Sequence, residues 1–189
     1  GPLADLLSAG HIVVDARSSA AYGAGHIKGA YNVQLSSSEF EQRVGWVTPD
    51  DVPIILVTNS EADAQKAIFN MAFIALDGRV AGFLDGGMEA WMDAGKPIQT
   101  VGQIDGHTLY DHLSKNGMQV LDVRESDEWD EGHIEGAHLM RYTDLVPQLD
   151  IPGKLDQLAL THDQHIAVTC ATGKRSSSAI SIMLRDGYK

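Results

Sequence analysis

The chain has 189 residues, enough for one domain or two small ones. Apolar residues make up 43% and charged residues 21%, which excludes wholesale disorder, and no apolar run approaches the roughly 20 residues that span a bilayer. Fourteen Lys and Arg against 26 Asp and Glu leave a net charge of −12. That field repels nucleic acid and anionic membranes, so a site for a small anion needs its own local positive charge.

In chain order, the opening GPLADLLSAG has neither a basic region nor a long apolar core, so it does not read as a signal peptide. Gly1-Pro2 reads as the scar of a removed tag, which leaves room for an upstream domain in the native protein. Residues 3–7 are predicted to be a short helix. Ile12–Asp15 and residues 54–58 are short runs rich in β-branched residues, the pattern of buried strands. Residues 62–76 carry apolar side chains at helical spacing, and residues 80–84 read as a further strand. A short helix at 108–113, strands at Gln119–Asp122 and Ile166–Thr169, and a helix at 175–184 complete the series. Alternating strands and helices predict an α/β fold with a mainly parallel sheet covered on both faces.

The chain contains itself twice. Residues 13–30, VVDARSSAAYGAGHIKGA, match residues 120–137, VLDVRESDEWDEGHIEGA, at an offset of 107. ILVTN (55–59) matches IAVTC (166–170) at an offset of 111. A period this long indicates two copies of one domain rather than a solenoid, here 1–99 and 101–189.

Cys170 is the only cysteine, so no internal disulfide is possible and a reducing compartment such as the cytoplasm is expected. It stands where a strand ends and a helix is about to begin, in VTCATGKRSSS. Ligands of such sheets bind beyond the carboxyl ends of the strands. The amides of Ala171, Thr172, Gly173, Lys174 and Arg175 can form an anion-binding nest, with Gly173 allowing the tight backbone. Lys174 and Arg175 add local positive charge, and Ser176 is a candidate cap or first-turn residue. Amides, helix dipole and cations together favour a thiolate, which makes Cys170 the candidate nucleophile.

These residues resemble the rhodanese family. CATGKRS resembles its active loop, the two GHI-containing segments resemble its first block, and FLDGGMEAW (83–91) resembles its terminal block. The resemblance implies tandem α/β domains, each around a five-stranded parallel sheet, and sulfur transfer through a cysteine persulfide. It implies a sulfur donor such as thiosulfate, glutathione persulfide or a polysulfide, an acceptor thiol or cyanide, and no metal or organic cofactor. Arg175 and Lys174 are expected to bind the anionic donor.

The first copy departs where the chemistry needs it. Asn59 aligns with Cys170 and cannot form a persulfide, and Glu61 and Asp63 lie in the loop that elsewhere carries Lys174 and Arg175. The first domain is therefore expected to be catalytically silent and to pack against and shape access to the second. The second copy has no equivalent of 80–91, so it is expected to lack its last strand and helix in this chain and to continue beyond Lys189.

His162 and His165 have ligand-like spacing but no third donor nearby in sequence, and a solvated loop is expected there. His26 and His133 occur in Gly-His-Ile of both copies, which argues for a structural role. Arg124 and Glu128 are spaced for an i,i+4 pair, and Trp91 and Trp129 are read as core anchors. Two other functions compete. A cysteine phosphatase or arsenate reductase is one, since cell-cycle dual-specificity phosphatases share the fold. Their Arg lies six positions after the Cys, where this chain has Ser176. A non-catalytic binding or persulfide-carrier module is the other. A silent copy with GWVTPDDVPIILVT followed by a Cys-bearing copy also resembles the tandem tail of metallo-β-lactamase-fold proteins of sulfide metabolism.

Overall fold

The structure, a computed structural model, describes residues 2–145 and 150–189. It divides into two compact units, Gly1–Gly102 and Gln103–Lys189. The first runs α1 (Pro2–Ser8), β1 (Ile12–Asp15), α2 (Ser19–Ala24), β2 (Tyr31–Asn32), α3 (Phe40–Val47), β3 (Ile54–Val57), α4 (Glu61–Ala72), β4 (Val80–Phe83) and α5 (Gly87–Asp93). The second runs α6 (Gly106–Asn116), β5 (Gln119–Asp122), α7 (Ser126–Glu131), β6 (His138–Leu139), α8 (Ile151–Gln157), β7 (Ile166–Thr169) and α9 (Lys174–Arg185).

Every strand pairing is parallel, in the order β2-β1-β3-β4 in the first unit and β6-β5-β7 in the second. The family resemblance implies five strands per sheet; the described residues contain four and three. Among the described residues the second sheet has no counterpart of β4, and β7, at its edge there, is only half-buried along its length. By contrast β1 and β3 are buried at all four positions, because helices cover both faces. That is why they read as unbroken apolar runs rather than alternating ones. On one face Val13, Tyr22, Ile27, Ala30, Val57 and Met88 form the core, with Leu3, Leu7, Leu84, Trp91 and Val101 packed against it.

The helix predicted at 62–76 ends at Ala72. Ala75 takes a left-handed conformation, φ +59°, and a 3₁₀ turn at Asp77–Arg79 then delivers the chain into β4. Residues 99–101 stay with the first unit. His26 and Gln99 exchange both backbone bonds at 2.9 Å, and the Val101 amide bonds Gly23 O at 2.9 Å.

Candidate active site

The site of the second unit is built at the ends of two neighbouring strands. β5 and β7 pair in register Asp122↔Thr169, which brings the residues after each strand to one edge. From β5, the Asp122 carboxylate receives the Arg124 amide at 3.0 Å and its guanidinium at 2.7–3.0 Å. Arg124 Nη2 also donates to Gly132 O at 2.7 Å, fixing the turn before His133. The His133 ring stacks on Trp129 at 3.7 Å, and its Nδ1 lies 3.1 Å from Trp129 O.

The first unit repeats this frame atom for atom. Arg17 binds Asp15 and donates to Gly25 O at 2.8 Å, and His26 stacks on Tyr22 at 3.7 Å with Nδ1 2.9 Å from Tyr22 O. The histidines, aspartates and arginines of the repeat thus make the same contacts in both copies. The frame is tighter in the first, where Tyr22 and His26 are fully buried, whereas Trp129 is half-buried rather than a core anchor. Trp91 packs on the core of its own unit and donates to Pro97 O at 2.9 Å. The predicted Arg124–Glu128 pair does not form, because Asp122 and Gly132 O take the guanidinium. His162 stacks on Tyr188 at 4.0 Å, with Nε2 2.9 Å from Asp186 O, so it tethers the end of the chain.

Cys170 follows β7 and borders an open cleft of about 340 Å³ that Asp122, Arg124, His133, Ile134 and Thr169 also line. Its Sγ is half-buried and lies 3.2 Å from the Gly173 amide, 3.4 Å from the Ser176 amide and 3.5 Å from Ser176 Oγ. Burial pushes the thiol pKa up. Hydrogen bonds from the Ser176 hydroxyl and from the amides of Ser176, Thr172 and Gly173 outweigh it, and the net shift is downward. Gly173 caps α9 at φ +80°, a left-handed conformation that a side chain would strain. Of the predicted loop, Ala171 and Thr172 are exposed, and Lys174 opens α9. Ser176, read as a cap or first-turn residue, sits in the first turn against the sulfur.

Arg175 departs from expectation. Its fork is turned to Glu128 on α7: Nη2 donates to Oε1 at 2.7 Å and Nη1 donates to Oε2. Glu128 also accepts the Glu125 amide at 3.1 Å as part of a capping box. The Arg175 guanidinium pulls the Glu128 carboxyl down to about 2. Local spacing assigned Glu128 to Arg124 instead. One signal was available: the first copy has Ala21 where the second has Glu128.

The family model of the rhodanese-like domain matches residues 2–94 and 105–189. Protein HIGH ARSENIC CONTENT 1 of Arabidopsis thaliana is 32% identical over 97 residues, which is 49% of this chain and 57% of that protein. The chain therefore spans little more than half the length of that relative. The thiosulfate sulfurtransferase of Azotobacter vinelandii is 23% identical over 94% of this chain and 82% of its own length. The 3-mercaptopyruvate sulfotransferase structure from Escherichia coli aligns over 98% of this chain and 92% of its own, with 17% identity and a TM-score of 0.40. With both halves of the chain matched in sequence and the same Asp–Arg–Gly–His frame built in each, the protein belongs to the rhodanese-like domain family and carries that domain twice.

Proposed function

We propose that the chain is a sulfurtransferase that moves sulfane sulfur from thiosulfate or a low-molecular-weight persulfide to a thiol or cyanide through a persulfide on Cys170. The observation that carries this reading is the convergence of the Thr172, Gly173 and Ser176 amides and the Ser176 hydroxyl on one half-buried sulfur beside an open cleft. The Cys170 thiolate attacks the outer sulfur of the donor, the donor S–S bond breaks, and sulfite or a thiolate leaves with the electron pair. The transferred sulfur stays on Cys170 as a persulfide anion, for which the loop amides supply preorganised donors. The acceptor then attacks that terminal sulfur and Sγ departs as thiolate. These steps need no metal or organic cofactor.

The second unit is the sulfurtransferase domain, residues 101–189 in the boundaries drawn from sequence, and the first is silent because Asn59 stands at the nucleophile position. Arg175 contributes its positive charge near Cys170 rather than an open fork. That arrangement disfavours a phosphatase or arsenate reductase, which needs a free arginine to grip a tetrahedral oxyanion. The finer reading places the chain as the tandem tail of a cytoplasmic metallo-β-lactamase-fold protein of sulfide metabolism. It rests on the silent-then-active order and on the GWVTPDDVPIILVT stretch.

Mass spectrometry of the intact protein after thiosulfate or glutathione persulfide tests the central claim. One added sulfur on Cys170, removed by cyanide, is the expected result. An unmodified Cys170 under both donors overturns it.

A further inference from the structure

Glu128 and Arg175 lie 47 residues apart in sequence yet form the one bidentate ion pair that reaches the Cys170 loop among the described residues. The side chains are 30% and 16% exposed, so solvent competes only in part. The carboxylate is pinned from its own side by the Glu125 amide, and it meets both Arg175 terminal nitrogens in the fork geometry that fixes direction as well as distance. Arg175 precedes Ser176, whose amide and hydroxyl touch Sγ.

The internal repeat tells what this pair is for. At the offsets of the two matching segments, Glu128 corresponds to Ala21 and Arg175 to Ala64. Both partners are alanine in the copy that carries Asn59 in place of the cysteine, although that copy keeps the Asp15–Arg17 pair, the bond to Gly25 O and the Tyr22–His26 stack. The domain therefore folds without the pair. Among the shared contacts and this one, only this one follows the cysteine.

We infer that Glu128 is a positioning residue for sulfur transfer: it pins Arg175, and with it the first turn of α9 that sets Ser176 against Cys170. The turnover arm of the test below rests on the proposed sulfurtransferase activity, and the titration arm does not. Were Glu128 only a counter-charge, the outcome has the opposite sign. A carboxylate near a thiolate raises the thiol pKa and repels an anionic donor, so its removal then lowers the thiol pKa and improves thiosulfate binding. Arg124 and Glu125 also act electrostatically on the pair and stay in place in every variant.

The experiment compares wild type with Glu128→Gln, Glu128→Ala, Arg175→Ala and the double variant Glu128→Ala/Arg175→Ala. It measures the pH dependence of Cys170 alkylation and the kcat and KM for thiosulfate. Positioning predicts that Glu128→Gln moves the alkylation titration to higher pH. It also predicts that kcat falls about tenfold, roughly 1.4 kcal/mol of barrier, while KM changes less than about twofold. The double variant is expected to be no worse than Arg175→Ala alone, because the two residues act as a unit. A titration that is unchanged or moves to lower pH, a lowered KM for thiosulfate, or losses that multiply in the double variant overturn the inference. If wild type itself transfers no sulfur, the proposed activity fails and the titration alone decides the role of Glu128.

Discussion

The two copies differ most where β3 and β7 hand over to the next helix. In the first unit α4 begins at Glu61, immediately after the cap Ser60, whose Oγ accepts the Asp63 amide at 3.1 Å. In the second unit α9 begins at Lys174, and the residues matching Glu61 and Ala62, namely Thr172 and Gly173, stay outside the helix. The same stretch of chain is thus wound into an ordinary helix start in one copy and unwound around a sulfur in the other. Unwinding gives up helical bonds and needs a glycine at φ +80°, and what it gains is amide donors free to face Sγ. Below this loop the copies agree: Asp, Arg, the glycine carbonyl and the aromatic–histidine stack recur with nearly equal distances. Fold and chemistry are therefore carried by separable sets of residues.

The sharpest way to break this comparison is Cys170→Ser. It is expected to abolish sulfur transfer while shifting stability by less than about 0.5 kcal/mol, read by a thiosulfate assay and urea unfolding. Any substantial residual turnover would place the nucleophile elsewhere. Next, Asn59→Cys in the Cys170→Ser background is expected to restore no persulfide, since Glu61 and Asp63 oppose an anion and the α4 start offers no glycine. A rate within about tenfold of wild type would show that the first copy is silent only for want of a sulfur.

The shared frame is tested by Arg17→Ala, which leaves the buried Asp15 carboxylate without its partner. An unpartnered buried charge costs about 3–5 kcal/mol, so this variant should lower the unfolding midpoint of the first unit strongly. Arg124→Ala should cost less, because that guanidinium is 20% exposed against 9% for Arg17. Equal losses would mean that exposure does not separate the two frames.

The smallest expected effect is that of Ser176→Ala. Hydrogen bonds lower the Cys170 thiol pKa despite its burial, so thiolate-dependent activity is expected to fall as pH drops through that lowered value. Removing the Ser176 hydroxyl takes away the largest of the stabilising hydrogen bonds and should move the acid limb of the rate profile to higher pH. An unmoved limb would leave the backbone amides alone responsible.

How much was legible in advance follows the range of each interaction. The strands at Ile12–Asp15 and Gln119–Asp122 were readable because strands covered on both faces are mostly apolar, and Ile166–Thr169 was readable from its β-branched run. The repeat was readable because the frame is built from residues close in sequence, Asp15 with Arg17 and Tyr22 with His26. The Cys170 loop and its glycine were readable for the same reason. The short β2 and β6 were not, because two-residue strands carry too little pattern, and neither was helix α8, whose Ile151-Pro152-Gly153 start reads as a turn.

The sequence by itself determined a two-copy α/β chain with one cysteine, one glycine-bearing loop beside it and one copy lacking the sulfur, because all of these are local in the chain. Only the tertiary structure decided who partners whom. Sequence spacing offered Glu128 to Arg124, four residues earlier, and Arg175 to an incoming anion. Folding instead gave Arg124 to Asp122 and Gly132, and brought Glu128 to Arg175 across 47 residues. A guanidinium goes to the carboxylate that meets its fork in three dimensions, and no one-dimensional spacing specifies that meeting.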